Sequence, residues 1–267
     1  VPGYPTTWGA APYKDQIIDE TATVVKKLED AGAILVAKLV SGALARGDVW
    51  FGGKTKNPWD TTQGASGSSA GSGSATSAGL VPFALGTETL GSITSPSTRN
   101  GVTGLRPTYG RVSRHGVMSL SWSMDKVGPL GRNAEDCAIV FEAIQGKDKN
   151  DLSTTDLPFG VDWKKDIKNL RVAYLKKDIE KDTTETGDNL RNALKSLKEM
   201  GIEPAAVEMP KEVPYRGFDI ILRAEAGAFF DELVRSGDVD LMVEQSRRSR
   251  ANSLRQSRFI PAVEYIQ

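Results

Sequence analysis

Gly67-Ser68-Ser69-Ala70-Gly71-Ser72, continued by small residues to Gly79 and followed by Gly91-Ser92-Ile93, is the stretch on which the reading of this chain turns. From Asp60 to Gly110 the sequence is rich in Gly, Ser and Thr. Such composition belongs either to a flexible linker or to a core in which small residues let backbones approach closely. Leu80-Val81-Pro82-Phe83-Ala84-Leu85 and Ile93 are apolar enough to be buried, which favours the packed core. Gly86-Thr87-Glu88-Thr89-Leu90 links that apolar segment to the second serine. Two hydroxyl clusters on small-residue loops fit carbonyl chemistry done without histidine, and the chain has a single His.

Outward from this stretch, the pattern alternates between helix and strand. Asp19 to Ala31 is expected as a helix, with Val24, Val25, Leu28 and Ala31 on one face and Gly32 at the C-terminal cap. Ala33-Ile34-Leu35-Val36-Ala37 reads as a buried strand. Asn133 to Ile144 reads as a helix capped by Asn133, with Ala134, Ala138, Phe141 and Ile144 as its apolar face. Gly146 to Asp166 is a polar surface connection. Leu170 to Leu175 reads as a strand, Leu190 to Met200 as a helix ended by Gly201, Ile202 to Glu208 as a strand, and Phe218 to Val234 as a helix. This order argues for an α/β fold with a mixed or parallel sheet covered by helices. The basic run Arg247-Arg248-Ser249-Arg250 reads as a solvated helix face.

Composition excludes several classes. The 267 residues are ample for a core, and 39% hydrophobic with 25% charged residues is ordinary for a globular protein. Lys+Arg and Asp+Glu each total 34, which argues against direct nucleic-acid contact or a membrane-surface role. No segment approaches the roughly 18 apolar residues of a transmembrane helix. The single Cys137 excludes an internal disulfide and a cysteine metal cluster, and it fits a reducing, cytoplasmic compartment. The chain opens on Val1 rather than Met and is expected to be a trimmed one.

Two motifs fail on inspection. Gly53-Lys54-Thr55 resembles the end of a phosphate-binding loop, but that pattern needs a glycine where Asp48 stands. Gly67-Ser68-Ser69-Ala70-Gly71 fits a nucleophile elbow, which needs an acid and then a histidine downstream. His115 is the only histidine, Glu88 the only acid between Ser69 and it, and the span is too short. His115 reads as a loop residue, and no second His or Cys cluster supports a metal.

A serine nucleophile without histidine needs another base, and a lysine whose pKa is lowered by burial can serve, through a second hydroxyl. The blocks Lys56-Asn57-Pro58-Trp59-Asp60, Gly67 to Ser72, Gly86 to Ile93, Gly101 to Gly110, and Val112-Ser113-Arg114 through Met124-Asp125-Lys126-Val127-Gly128-Pro129-Leu130 together resemble the amidase signature family in order and spacing. The resemblance is strong over residues 1–150 and loose beyond. It implies a mixed sheet core covered by helices on both faces, truncated at both ends. The expected domain is a single incomplete one over 1–267, with 1–150 as the signature core and 151–267 as a peripheral α/β part. It further implies a Ser–cis-Ser–Lys triad in which Ser92 is the nucleophile and Ser68 the cis-serine relay, with Gly67 ahead of the cis bond. Backbone N–H groups of Thr89, Leu90, Gly91 and Ser92 fall on the family's oxyanion hole. Ser69 and Ser72 read as loop-holding hydroxyls. No cofactor or metal is implied, and the substrate would be a small amide.

The triad lysine is the main departure. The family places it a short way before the segment that is here Pro5-Thr6-Thr7, so it is expected upstream of Val1. Lys14 lies on the wrong side of that segment, and Lys38 aligns with a non-catalytic lysine. Thr94 stands where many relatives have arginine after Gly-Gly-Ser-Ile, and Lys38-Leu39-Val40-Ser41 departs from the pattern of the glutamyl-tRNA amidotransferase A-type chains. Three functions follow as expectations. They are an amidase acting on a linear carboxamide, an ammonia-releasing A-type chain of a tRNA-dependent amidotransferase, and a non-catalytic scaffold fragment.

Overall fold

The apolar segment read as buried becomes one edge of a three-stranded antiparallel sheet. In this computed structural model, which describes residues 1–261, 265 and 266, the first elements are α1 (Thr23–Asp30) and the short hairpin of β1 (Val49–Trp50) and β2 (Gly53–Lys54). Then come α2 (Ala70–Ser77), β3 (Phe83–Glu88), α3 (Thr94–Asn100), β4 (Thr103–Gly104), β5 (Lys126–Gly131) and α4 (Ala134–Ile144). β5 is the central strand, antiparallel to β3 from Glu88↔Lys126 to Phe83↔Gly131 and to β4 on its other side. Both α2 and α4 pack on β3 and β5. From Val127 to Gly131 every β5 residue is buried, so both faces of the strand are covered.

Within the opening stretch, the small residues from Ala70 to Ser77 fold into α2 rather than a loop. Six of the eight α2 residues are buried, and none is larger than threonine. Close approach is what they provide: a Cβ on Gly73 would sit 2.9 Å from Asn100 Nδ2 of α3. Hydroxyls tie α2 to the sheet. Ser69 Oγ donates to Thr87 O at 3.1 Å and accepts from Thr87 N at 3.0 Å, and Ser72 Oγ donates to Leu85 O at 2.7 Å.

The chain divides into two units, 1–159 with 218–267, and 160–217. The boundary drawn at 150 from the sequence does not coincide with this division. The smaller unit holds β6 (Ala173–Leu175), α5 (Lys176–Glu180), α6 (Glu185–Glu199) and β7 (Ala205–Val207), with β6 and β7 parallel. The chain then returns to the first unit with α7 (Gly217–Phe229), α8 (Asp231–Arg235) and α9 (Arg250–Ser257). Leu222, Phe230, Leu233 and Leu254 from this returning part share a core with Leu44 and Leu120.

Asn133 caps α4 as expected, accepting from Asp136 N at 2.8 Å. Its buried face is Cys137, Val140, Phe141 and Ile144, so Ala134 turns outward. Four expectations need correction. Ala33–Ala37 forms no strand, and Ile34 and Val36 are 86% and 71% exposed, because no described segment pairs with it. Leu80 is likewise exposed. The helix expected over 218–234 breaks at Phe230, which turns its ring into the core. In the basic run, Arg247 and Arg248 are exposed ahead of α9, Ser249 caps it by accepting from Asn252 N, and Arg250 is buried.

Candidate active site

The turn between β3 and α3 delivers Ser92, and the turn before α2 delivers Ser68. Ser69 N donates to Ser92 O at 3.1 Å, which fastens the two turns together. The Gly67–Ser68 peptide bond is cis. Gly91 adopts φ +90, a left-handed conformation suited to glycine, and a Cβ there would project into open space. Ser68, Thr87, Thr89 and Ser92 line one cavity of about 230 Å³.

The segment Thr89–Ser92 carries four consecutive N–H groups with no acceptor among the described residues. The next two N–H groups are taken. Buried Glu88, at the end of β3, accepts from Ile93 N at 2.7 Å and Thr94 N at 2.8 Å through Oε2. That carboxylate therefore satisfies the N-terminus of α3 and leaves the preceding four amides without a partner. Arg106 stands 3.7 Å from its other oxygen.

The other wall of the Ser68 turn comes from residues 42–48. Gly42 N donates to Ser68 O at 3.0 Å, Asp48 Oδ2 accepts from Ser66 N at 3.1 Å, and a Cβ on Gly67 would overlap the carbonyl oxygen of Gly47. Within this loop Leu44 and Ala45 hold positive φ, unusual for residues with a side chain. Arg250 holds that conformation, its Nε donating to Leu44 O at 2.9 Å and its Nη2 to Ala45 O at 3.1 Å. Burial pulls its guanidinium down to about 10, with Arg46 adding repulsion. Ala45 lines the cavity.

Charged groups complete the lining. Arg114 and Asp151 form a bidentate pair at 3.0 Å, and Arg114 also donates to Trp122 O and Ser153 Oγ. Burial alone would raise the Asp151 carboxyl, but Arg114 and Ser153 hold it well below the usual carboxylate range. His115 Nε2 lies 2.9 Å from Glu20 Oε1. Lys126 donates to Thr89 O at 3.1 Å, and burial followed by repulsion from Arg106 lowers its pKa. Lys14 and Lys38 do not line the cavity: Lys14 lies 3.9 Å from Asp15, and Lys38 donates to Pro5 O at 2.8 Å and Thr6 Oγ1 at 2.6 Å. Among the described residues no group of three His, Cys, Asp or Glu is arranged to hold a metal, and no helix is long and apolar enough to cross a membrane.

This arrangement of hydroxyls and unpaired amides sits in a sequence whose residues 1–262 match the amidase family model. The chain belongs to the amidase family. The A-type chain of the glutamyl-tRNA(Gln) amidotransferase of Staphylococcus haemolyticus (strain JCSC1435) is 41% identical over 218 residues, covering 78% of this chain and 44% of that protein. The chain thus spans less than half the length of this curated relative. Among solved structures, peptide amidase from Stenotrophomonas maltophilia matches with a TM-score of 0.82 at 26% identity, over 98% of this chain and 60% of that one. The corresponding glutamyl-tRNA(Gln) amidotransferase chain from Thermotoga maritima matches at 0.79 and 30% identity, over 97% and 59%. The mixed α/β architecture is the amidase fold.

Three features of this amidase site were missed by sequence reasoning. Glu88 was read only as part of the link between the two serine stretches, yet it caps α3; an acid a few positions before a helix start is a weak signal. Asp125 and Lys126 lay inside a matching block without an assigned role. Arg250, 206 positions from Leu44, left no local signal at all.

Proposed function

We propose that this chain carries the nucleophile, the relay and the oxyanion site of an amidase acting on a linear carboxamide. Ser92 Oγ attacks the amide carbon while its proton passes through Ser68 Oγ to a neutral lysine amine. The N–H groups of Thr89, Leu90, Gly91 and Ser92 take up the charge that develops on the carbonyl oxygen. The C–N bond breaks as the proton moves to the leaving nitrogen, giving an acyl ester on Ser92 that water hydrolyses. One observation carries this reading: Ser68, Thr89 and Ser92 line one cavity, beside four consecutive amides with no acceptor among the described residues. Lys14 and Lys38 are engaged away from that cavity, and Lys126 on a carbonyl. The base in this proposal therefore comes from residues outside 1–267, in a longer protein.

A second reading is favoured by the 41% identity to an amidotransferase A-type chain: release of ammonia from glutamine for a partner protein. The deciding experiment gives the full-length protein simple aliphatic and aryl amides, and glutamine, with no other protein present. Turnover of simple amides, an acyl adduct on Ser92 by mass spectrometry, and its loss in Ser92→Ala are expected. Turnover of glutamine with no turnover of the simple amides would favour the second reading. Full activity in Ser92→Ala would remove Ser92 as the nucleophile, and no turnover of any of these amides would leave the chain as a scaffold.

A further inference from the structure

We propose that Lys126 is a positioning residue for the oxyanion site, holding the Thr89–Leu90 peptide so that the Leu90 N–H is fixed and polarised toward an anionic oxygen. The inference rests on the amidase reading above. Its structural basis is a clamp made by two consecutive residues of one segment. Asp125 Oδ1 accepts from Thr89 Oγ1 at 2.5 Å, and Lys126 Nζ donates to Thr89 O at 3.1 Å. Residue 89 is thereby gripped by both its side chain and its carbonyl. The base of the clamp is rigid. Lys126 pairs in register with Glu88 in the sheet, and Asp125 Oδ2 accepts from Leu120 N at 2.7 Å and Ser121 N at 2.8 Å.

The carbonyl of Thr89 and the N–H of Leu90 belong to one planar unit. That bond is not among the cis bonds, so the two groups point in opposite directions. Fixing the oxygen therefore fixes the hydrogen. Leu90 N–H has no acceptor among the described residues, and neither do its neighbours at Thr89, Gly91 and Ser92. An ammonium on the carbonyl also draws electron density away from the amide nitrogen and strengthens the donor at the other end of the peptide. The left-handed Gly91 that follows gives the turn conformational freedom that such a clamp would remove at residue 89.

The other charged residues lining the cavity make different contacts. Arg114 is engaged by Asp151, and His115 faces Glu20. Lys126 has no carboxylate within ion-pair distance among the described residues, and the only hydrogen bond of its ammonium there is to Thr89 O. A surface lysine of no consequence would not need to be half-buried against a main-chain oxygen.

The test uses the full-length protein, selectively labelled with 15N-leucine, with Lys126→Met and Lys126→Arg as variants. The Leu90 amide resonance is expected to move upfield in Lys126→Met, further than resonances of leucines outside the turn, and to return in Lys126→Arg. Phenylboronic acid, which forms a tetrahedral adduct with a reactive serine, is expected to bind about tenfold more weakly to Lys126→Met, the loss of one charge-assisted hydrogen bond. Amide KM is expected to stay unchanged while kcat falls. An unmoved Leu90 resonance, or a rise in KM with kcat unchanged, would overturn the positioning role. If the wild-type protein forms no boronate adduct, the amidase reading fails instead, and the Leu90 resonance still decides whether Lys126 grips the peptide.

Discussion

Two helices of this chain, α2 and α6, are built by opposite means. α6 runs for 15 residues with Leu190, Ala193, Leu194 and Leu197 recurring at helical spacing, and only Gly187 is buried. α2 runs for 8 residues of glycine, alanine, serine and threonine, with no apolar stripe, and is almost wholly buried. Periodicity reports a contrast between a wet and a dry face. A helix buried all round has no such contrast, so α2 is invisible to pattern and α6 is plain. Burying α2 brings a demand for close fit, which α6 does not face.

Substitutions can break or sharpen that contrast. The largest effect is expected at Gly67, just ahead of α2. Its added Cβ meets the main-chain oxygen of Gly47, which no side-chain rotation can relieve. Gly67→Ala is expected to lose more than ~3 kcal/mol of stability by urea unfolding. Gly160→Ala, in the smaller unit, meets nothing within 4 Å and is expected to stay within about 0.5 kcal/mol of wild type. Equal losses at the two positions would remove the distinction between a fitted and a loose region.

A smaller effect is expected from the Arg114–Asp151 pair. The folded Asp151 carboxyl is depressed, so its stabilisation is complete above the ordinary aspartate pKa of about 3.9 and is lost as pH falls through the lower folded value. Acid titration of stability should therefore show a fall beginning below about pH 4. Arg114→Met should cost about 2 kcal/mol at pH 7 and blunt that fall. A titration unchanged by the substitution would contradict the pairing. The smallest effect is expected on α6, where Lys195 and Glu199 form an exposed 3.9 Å pair. Lys195→Ala should change stability by no more than about 0.5 kcal/mol, measured in the same urea series.

Legibility followed the same physical line. α4 was readable because its cap, Asn133, and two of its four expected face positions, Phe141 and Ile144, are local features, while Cys137 and Val140 complete the buried face in place of Ala134 and Ala138. β5 was not read as a strand, since Gly128 and Pro129 argue against a central one. Its glycines are there for contact: a Cβ at Gly128 would overlap Leu105 O. The run Ala33–Ala37 misled in the other direction. An apolar segment becomes a strand only when a partner strand completes its hydrogen bonds, and no described residue supplies one.

The sequence by itself determined the family, and it set the expectation that Ser68, Ser92 and the four-residue turn ending at Ser92 form the site, because each is carried by residue identity at fixed spacing within a continuous block. Tertiary structure alone decided what surrounds them. Glu88 takes two amides of α3 and leaves Thr89–Ser92 free, Lys126 and Asp125 grip Thr89 from the neighbouring strand and the turn before it, and Arg250 fixes the Leu44–Ala45 turn beside Ser68. Each of these contacts depends on which groups remain unpaired after the chain has folded, and hydrogen-bond vacancies are a property of packed backbones, not of the order of residues.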